Sequence, residues 1–426
     1  MLLKGVLAGS ASVVALLTVA TTSYAQSADN SNQPETVVVT GLRYSEEQSI
    51  DLKRNADTMV DAIVASDIGK LPDKNVADAL QRLPGVETFS QSSGEGGFDE
   101  NDRVALRGTD PSLTLTTIDG HSVATGDWYI LDQFQTVGRS VSYDLLPSEI
   151  VSSVIVHKSQ EADMVEGGTA GTVDILTRKP LDFPNSLTFE GSAQAEYSDL
   201  PHRTEPNLNG LIAWHDDTDH FGIMVQGFYE ERDLLREGQE FLGYNTTTTL
   251  PGYVGKSILY PTLIGAALFQ QHREREGGAA TIQWKPTSTL NFVVSSFYSR
   301  LNASDTNNNY MAYVQNEISS GNTPTSATVS NGTLVAASFP YNGVNGAVED
   351  SIDRPGEGAE TWYINGDATW TPLSDLTVDY QLGYTKGEGF TPSQPTWESE
   401  APTGVNFNFA GGTPAAVSFP NINTTN

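Results

Sequence analysis

The chain has 426 residues, with 53 Asp and Glu against 23 Lys and Arg, a formal net charge of −30 and no cysteine. That balance excludes nucleic acid as a partner, because its phosphates would be repelled. The missing thiols exclude a disulfide framework and thiol chemistry while leaving an oxidising compartment open.

Residues 1–25 read as a cleaved secretory signal: Lys4, an apolar run from Gly5 to Ala20, and small residues in Ser23-Tyr24-Ala25 before Gln26. Beyond it no apolar run is long enough for a membrane helix, so a membrane crossing here requires strands. "QPETVVVTGL" at 33–42 comes next. Glu35, Thr36, Val37, Val38, Val39 and Thr40 are strand-prone, because β-branched side chains suit an extended backbone. Their neighbours are polar on one side and charged on the other, so the segment reads as an unpaired strand on a tether spanning 26–54.

Residues 55–180 read as a compact mixed α/β domain. "DKNVADALQRLPGV" places Val76, Ala79, Leu80 and Leu83 at helical spacing and stops at Pro84-Gly85. "DRVALRG" and "SLTLTTIDGHSV" predict short strands broken at Gly108 and Asp119-Gly120. "LLPSEIVSSVIVHKS" predicts a helical turn feeding a strand, and "EGGTAGTVDILTRKP" a glycine-rich turn feeding another.

From Ser186 the pattern changes to segments of about ten residues in strict alternation, the signature of a transmembrane β-barrel. The predicted strands are 187–197, 207–214, 220–230, 279–286, 289–300, 361–370 and 376–386. In "LTVDYQLGYTK", Leu376, Val378, Tyr380, Leu382 and Tyr384 share one face, and Thr377, Asp379, Gln381, Gly383 and Thr385 the other. A soluble β-sandwich also alternates. The connections favour the barrel, since tight turns at 215–219, 287–288 and 371–375 alternate with longer segments at 198–206, 231–278 and 301–360. Trp214, Trp284 and Trp370 precede the three tight turns, as an interfacial aromatic girdle would.

"ETVVVTG", "LPDKNVADALQRLPGV", "VALRGTDPSLTLTTIDGHSV" and "SYDLLPSEIVSSVIVHKSQEADMVEGGTAGTVDILTRKP", in that order and followed by the strands, resemble the N-terminal part of a TonB-dependent outer-membrane receptor. The likeness is to the branch linked to carbohydrate uptake. It implies a mixed α/β plug domain at 55–180, followed by an antiparallel transmembrane β-barrel of 22 strands whose N-terminal part is 186–426. It also implies that residues 35–40 are the TonB box, bound by TonB of the inner-membrane energising complex. β-augmentation suits such a handle, because main-chain hydrogen bonds supply the affinity. Other implied partners are outer-membrane lipid and an extracellular ligand, an oligosaccharide in this branch. A siderophore or cobalamin receptor of the same fold is the alternative, as is a non-transporting fragment. Seven strands tilted about 40° close a ring of only about 14 Å, whereas 22 give about 44 Å. A plug of this size measures roughly 35 Å across, so the chain reads as part of a longer barrel.

Candidate ligand contacts lie in two plug loops, where Phe98, Trp128 and Tyr129 stack on sugar rings and Asp99, Glu100 and Asp127 accept from hydroxyls. Arg107 and Arg178 are expected to pair with lumen-facing carboxylates such as Glu190 or Glu196 and so hold plug to wall. "GGTAGT" at 167–172 lacks the lysine of a phosphate loop. "HDDTDH" at 215–220 has poor metal spacing and reads as a hydrated turn. No nucleophile and base constellation points to an enzyme, and no cofactor or metal is expected.

Overall fold

The computed structural model describes residues 40–64, 75–90, 101–127, 140–412 and 414–422. The signal segment, Glu35 to Val39, Phe98, Asp99, Glu100, Trp128 and Tyr129 lie outside the described residues. Thr40 opens a helix running to Asn55, so the last fifteen positions of the segment 26–54 are helical, Thr40 included. No Gly or Pro interrupts Leu42 to Asn55. Lys53 and Arg54 stand in the last turn, where cations favour the helix dipole, and Arg54 pairs with Asp51 at 2.6 Å.

The N-terminal mixed domain is built on a sheet of β1 (Val60–Val64), β4 (Thr114–Ile118), β5 (His121–Ser122), β6 (Val151–His157) and β7 (Gly171–Thr177) in the order β1-β6-β7-β4-β5. β4 runs parallel to β7, and the other pairs are antiparallel. β2 (Val86–Ser90) and β3 (Asn101–Leu106) form a separate antiparallel pair. A one-turn helix at Val76–Leu80 buries Val76, Ala79 and Leu80 against Leu106, Val154, Val156 and Ile175. Asn75 caps it by accepting from the Asp78 N–H at 3.2 Å. β4 and β5 meet through Asp119-Gly120, both at positive φ, as a two-residue hairpin of right-handed twist requires.

The wall is a meander of seven strands, β8 (Leu187–Ser198), β9 (Arg203–His215), β10 (Phe221–Phe241), β13 (Ile264–Thr287), β14 (Leu290–Ala312), β18 (Gly358–Leu373) and β19 (Leu376–Phe390), each antiparallel to the next. The alternation places them correctly, but β10, β13 and β14 run to 21, 24 and 23 residues. Their upper halves fall in segments expected as loops at 231–278 and 301–360. The reason is chemical: the outward positions turn from Ile223 and Val225 to Glu231 and Asp233 on β10, and from Val294 and Tyr298 to Asn302 and Ser304 on β14. The ladder nevertheless continues without a break from Gly222 to Phe241.

Outward side chains make an apolar band that includes Leu187, Phe189, Ile212, Ile223, Val225, Ile282, Val294, Ile364, Tyr380 and Leu382, all exposed. Trp214, Trp284 and Trp370 rim it beside the tight turns, each about half exposed, with Trp284 stacked on Phe292 at 5.5 Å. Inward side chains of β18 and β19 meet the mixed domain: Thr361 Oγ1 donates to the Ala124 carbonyl at 2.6 Å, and Gln381 Nε2 to that of Asp119 at 3.5 Å.

At the far ends of β13 and β14 sits a second sheet with its own core. β11 (Tyr244–Thr247), β12 (Ile258–Pro261), β16 (Thr333–Phe339), β21 (Val405–Asn408) and β22 (Ala416–Ser418) follow one another across it, and β15 (Ser326–Ser330) pairs with β16. Ile258, Tyr260, Leu334, Phe339, Val405 and Phe407 fill the space beneath, with Ile264, Ala312 and Val314, the last in a short helix at Val314–Ser319. β17 (Asn345–Arg354) and β20 (Thr396–Pro402) extend the wall beyond β14.

Candidate functional site

The mixed domain contacts the inner face of the wall through three kinds of contact. The first is an aromatic ledge. Phe228, Phe297 and Tyr363 project inward from β10, β14 and β18, stack at 6.2 and 5.5 Å, and join the core of the mixed domain. Alternation explains the ledge, since each ring is one of the few large apolar groups at an inward wall position.

The second is an enclosed ionic network. Asp102, Arg103 and Asp144 of the mixed domain and Glu230, Arg273 and Arg275 of the wall are all buried. Arg275 Nη1 donates to the Asp144 carbonyl at 2.9 Å and Nη2 to the Glu230 carboxylate. Arg273 Nη1 stands 3.8 Å from Asp144 Oδ2, and Arg103 Nε 3.7 Å from Asp102 Oδ2. Burial pushes the Asp102 carboxyl well above its ordinary range, against the pull of the Arg103 guanidinium. Removing one member of such a set strands its partners and costs about 3–5 kcal/mol. The parting groups are rehydrated when the surfaces separate, so an ionic seam can reopen into water more readily than an apolar one.

The third is a close backbone track. Ala124 N–H donates to Thr385 Oγ1 at 3.0 Å, and the chain from Thr125 to Asp127 lies directly on Gly387 and Gly389. A Cβ built on Gly389 would stand 1.8 Å from the Asp127 carbonyl oxygen. Lower on the same strands, His121 Nε2 meets Asp367 Oδ1 at 2.8 Å.

Arg178 Nη1 donates to Glu190 Oε2 at 2.5 Å, between the end of the mixed domain and the first wall strand. Glu196 lies instead 3.7 Å from Arg232 Nε. Arg107 does not reach the wall: at φ +60 it turns back, and Nη2 donates to the Lys158 carbonyl at 2.5 Å within the mixed domain. The Asp127 carboxylate is engaged by Arg103 Nη2. The "HDDTDH" turn is held by Asp216 Oδ1, which accepts from the His220 and Phe221 N–H groups at 2.7 and 2.9 Å. Among the described residues no group of three metal-ligating side chains gathers.

Sequence reasoning missed Asp102, Arg103, Arg273 and Arg275. The charged pair inside "NDRVAL" was a legible signal, because two charges in an apolar strand must find partners. Gln271, Arg273 and Arg275 alternate in "QQHREREGG", but that stretch was expected to be a loop.

Residues 52–173 match the family model described as the TonB-dependent receptor plug domain. Among solved structures, the chain is similar to the siderophore receptor PirA from Acinetobacter baumannii at 11% identity and a TM-score of 0.33, covering 84% of this chain and 59% of that one. It is similar to the unliganded ferric citrate transporter FecA at 13% and 0.35, covering 87% and 60%. A third is the outer membrane transporter YddB from Escherichia coli, at 10% and 0.32, covering 84% and 57%. The chain thus spans about three fifths of the length of these structures. Residues 52–173 are thus similar to the TonB-dependent receptor plug domain, and the mixed domain they build is seated in this chain against the inner face of an antiparallel strand sheet.

Proposed function

We propose that the protein is an outer-membrane receptor for energised uptake of an oligosaccharide, exported by a signal cleaved before Gln26 and coupled to TonB through residues 35–40. The observation that carries this reading is the seam. Beside the aromatic ledge the plug is held on the wall by ions and hydrogen bonds, with Arg178–Glu190, His121–Asp367 and Arg275–Asp144 along it, contacts that fix the register and are still separable under load. The outward apolar band supports a lipid-facing wall. From Trp362 to Trp370 and from Leu376 to Tyr384 it spans nine positions, the roughly 9–11 residues that a tilted strand needs to cross a bilayer.

Uptake of a radiolabelled neutral oligosaccharide by cells expressing the full-length protein is expected to stop when a protonophore collapses the proton gradient, while surface binding persists. Trp128→Ala is expected to weaken that binding without lowering surface abundance. Gradient-independent entry would overturn the energised reading, and uptake of a ferric chelate in place of sugar would move the substrate to the siderophore class.

The lipid face has its own test. Val378→Arg is expected to cost about 2–4 kcal/mol in the assembled receptor, and Thr377→Arg on the inward face far less. Loss of the heat-modifiable band on gels measures the difference. Equal effects would mean that the register is shifted by one residue, which exchanges the faces.

A further inference from the structure

The chain carries −30 overall, yet the three segments that build the second sheet, 242–263, 313–344 and 403–422, contain one lysine, Lys256, and one acid, Glu317. Glu317 is buried and accepts from Asn322 Nδ2 at 2.5 Å. This subdomain is therefore a nearly uncharged surface on a strongly acidic protein. Its position, at the wall ends opposite the tight turns, is the outer side under the function proposed above.

One face of the sheet covers the core, and the opposite face is unpartnered among the described residues. Register fixes what the open face carries. Ser326 faces Ser338, Ser338 faces Asn406, and Asn406 faces Ser418, so four strands present one polar row. Asn406 Nδ2 donates to Ser418 Oγ at 3.2 Å. Asn408 lies in the next row, and Tyr244, 48% exposed and stacked on Phe241 at 6.2 Å, stands on the same face at the sheet's other edge.

We propose that this face is a docking surface for a neutral glycan, distinct from the plug loops. Hydroxyls and amides both donate and accept, which is what a polyol without charge requires. Strands repeat about every 4.8 Å, a spacing on the scale of one sugar ring, and an exposed tyrosine ring offers its apolar face. A charged ligand would find no counter-ion in the row, and the apolar surface on this face is confined to Tyr244 and the neighbouring Leu259 at one edge. The proposal deepens the oligosaccharide reading and rests on it for the orientation of the sheet.

The test is binding of the full-length receptor in detergent to an array of neutral oligosaccharides and matched uronic-acid oligosaccharides, with no energy source present. The wild type is expected to bind neutral glycans and not the acidic ones. Ser338→Asp combined with Asn406→Asp is expected to weaken binding at least about tenfold, and Tyr244→Ala several-fold, through lost hydrogen bonds and stacking. Tyr244→Ala leaves the row intact and decides the matter if the double variant does not assemble. No neutral glycan bound, acidic glycans bound equally, or variants that bind like wild type would each overturn the proposal. Binding without import would remove the transport reading and leave the surface standing; import with unchanged variants would do the reverse.

Discussion

Val38→Pro is expected to abolish energised uptake, Val38→Ala to reduce it modestly, and both to leave ligand binding at the outer face intact. If the 35–40 segment acts by adding a strand to a partner's sheet, its affinity resides in backbone N–H and C=O groups. Proline removes one donor and fixes φ, whereas alanine preserves the ladder and removes only side-chain contact. The described helix begins at Thr40, two residues beyond. Proline is tolerated ahead of a helix, so the variant leaves the helix formed and isolates the effect on the handle. Uptake by Val38→Pro at wild-type rates would reduce the segment to a valine-rich linker and remove the coupling element.

The same sequence was legible to different depths in different places. Period-two alternation fixed all seven wall strands, because the apolar outward face survives any choice of inward residue. It failed above the band. There the outward positions of β13 carry His272 and Glu274 and those of β14 Ser304 and Thr306, so both faces are polar and a strand looks like a loop, although the cross-strand bonds continue. The second sheet was hidden for a related reason. Its strands are three to seven residues long, too short for any one of them to register a period. The helix at 40–55 is obscured by its charge, which suits a solvated tether equally well and includes an Asp51–Arg54 pair one turn apart. The ionic seam required pairing across more than a hundred residues, as in Asp144 with Arg275, and no local pattern reports that.

Gly389→Val is expected to unseat the 124–127 segment from the wall. At Gly389 a Cβ would fall 1.8 Å from the Asp127 carbonyl oxygen and 2.2 Å from its carbon, and at Gly387 it would fall within 2.6 Å of the Thr125 backbone. These are backbone atoms, which cannot rotate away as the end of a side chain can, so overpacking here reaches the upper part of its usual range of about 1–3 kcal/mol. The displaced segment carries Ala124, whose N–H and carbonyl are both held by wall threonines, and Asp127, whose carboxylate meets Arg103. Loosening it strains a second set of contacts inside the ionic network. The expected readouts are new protease cleavage near Ala124 in the purified receptor and greater sensitivity of expressing cells to an antibiotic too large for ordinary porins. Gly210→Ala is the control, since a Cβ there meets nothing within 4 Å, and it should leave both readouts unchanged. An unaltered cleavage pattern and permeability in Gly389→Val would mean that the segment can lift from the wall without consequence, and that the aromatic ledge and the ionic network hold the plug without it.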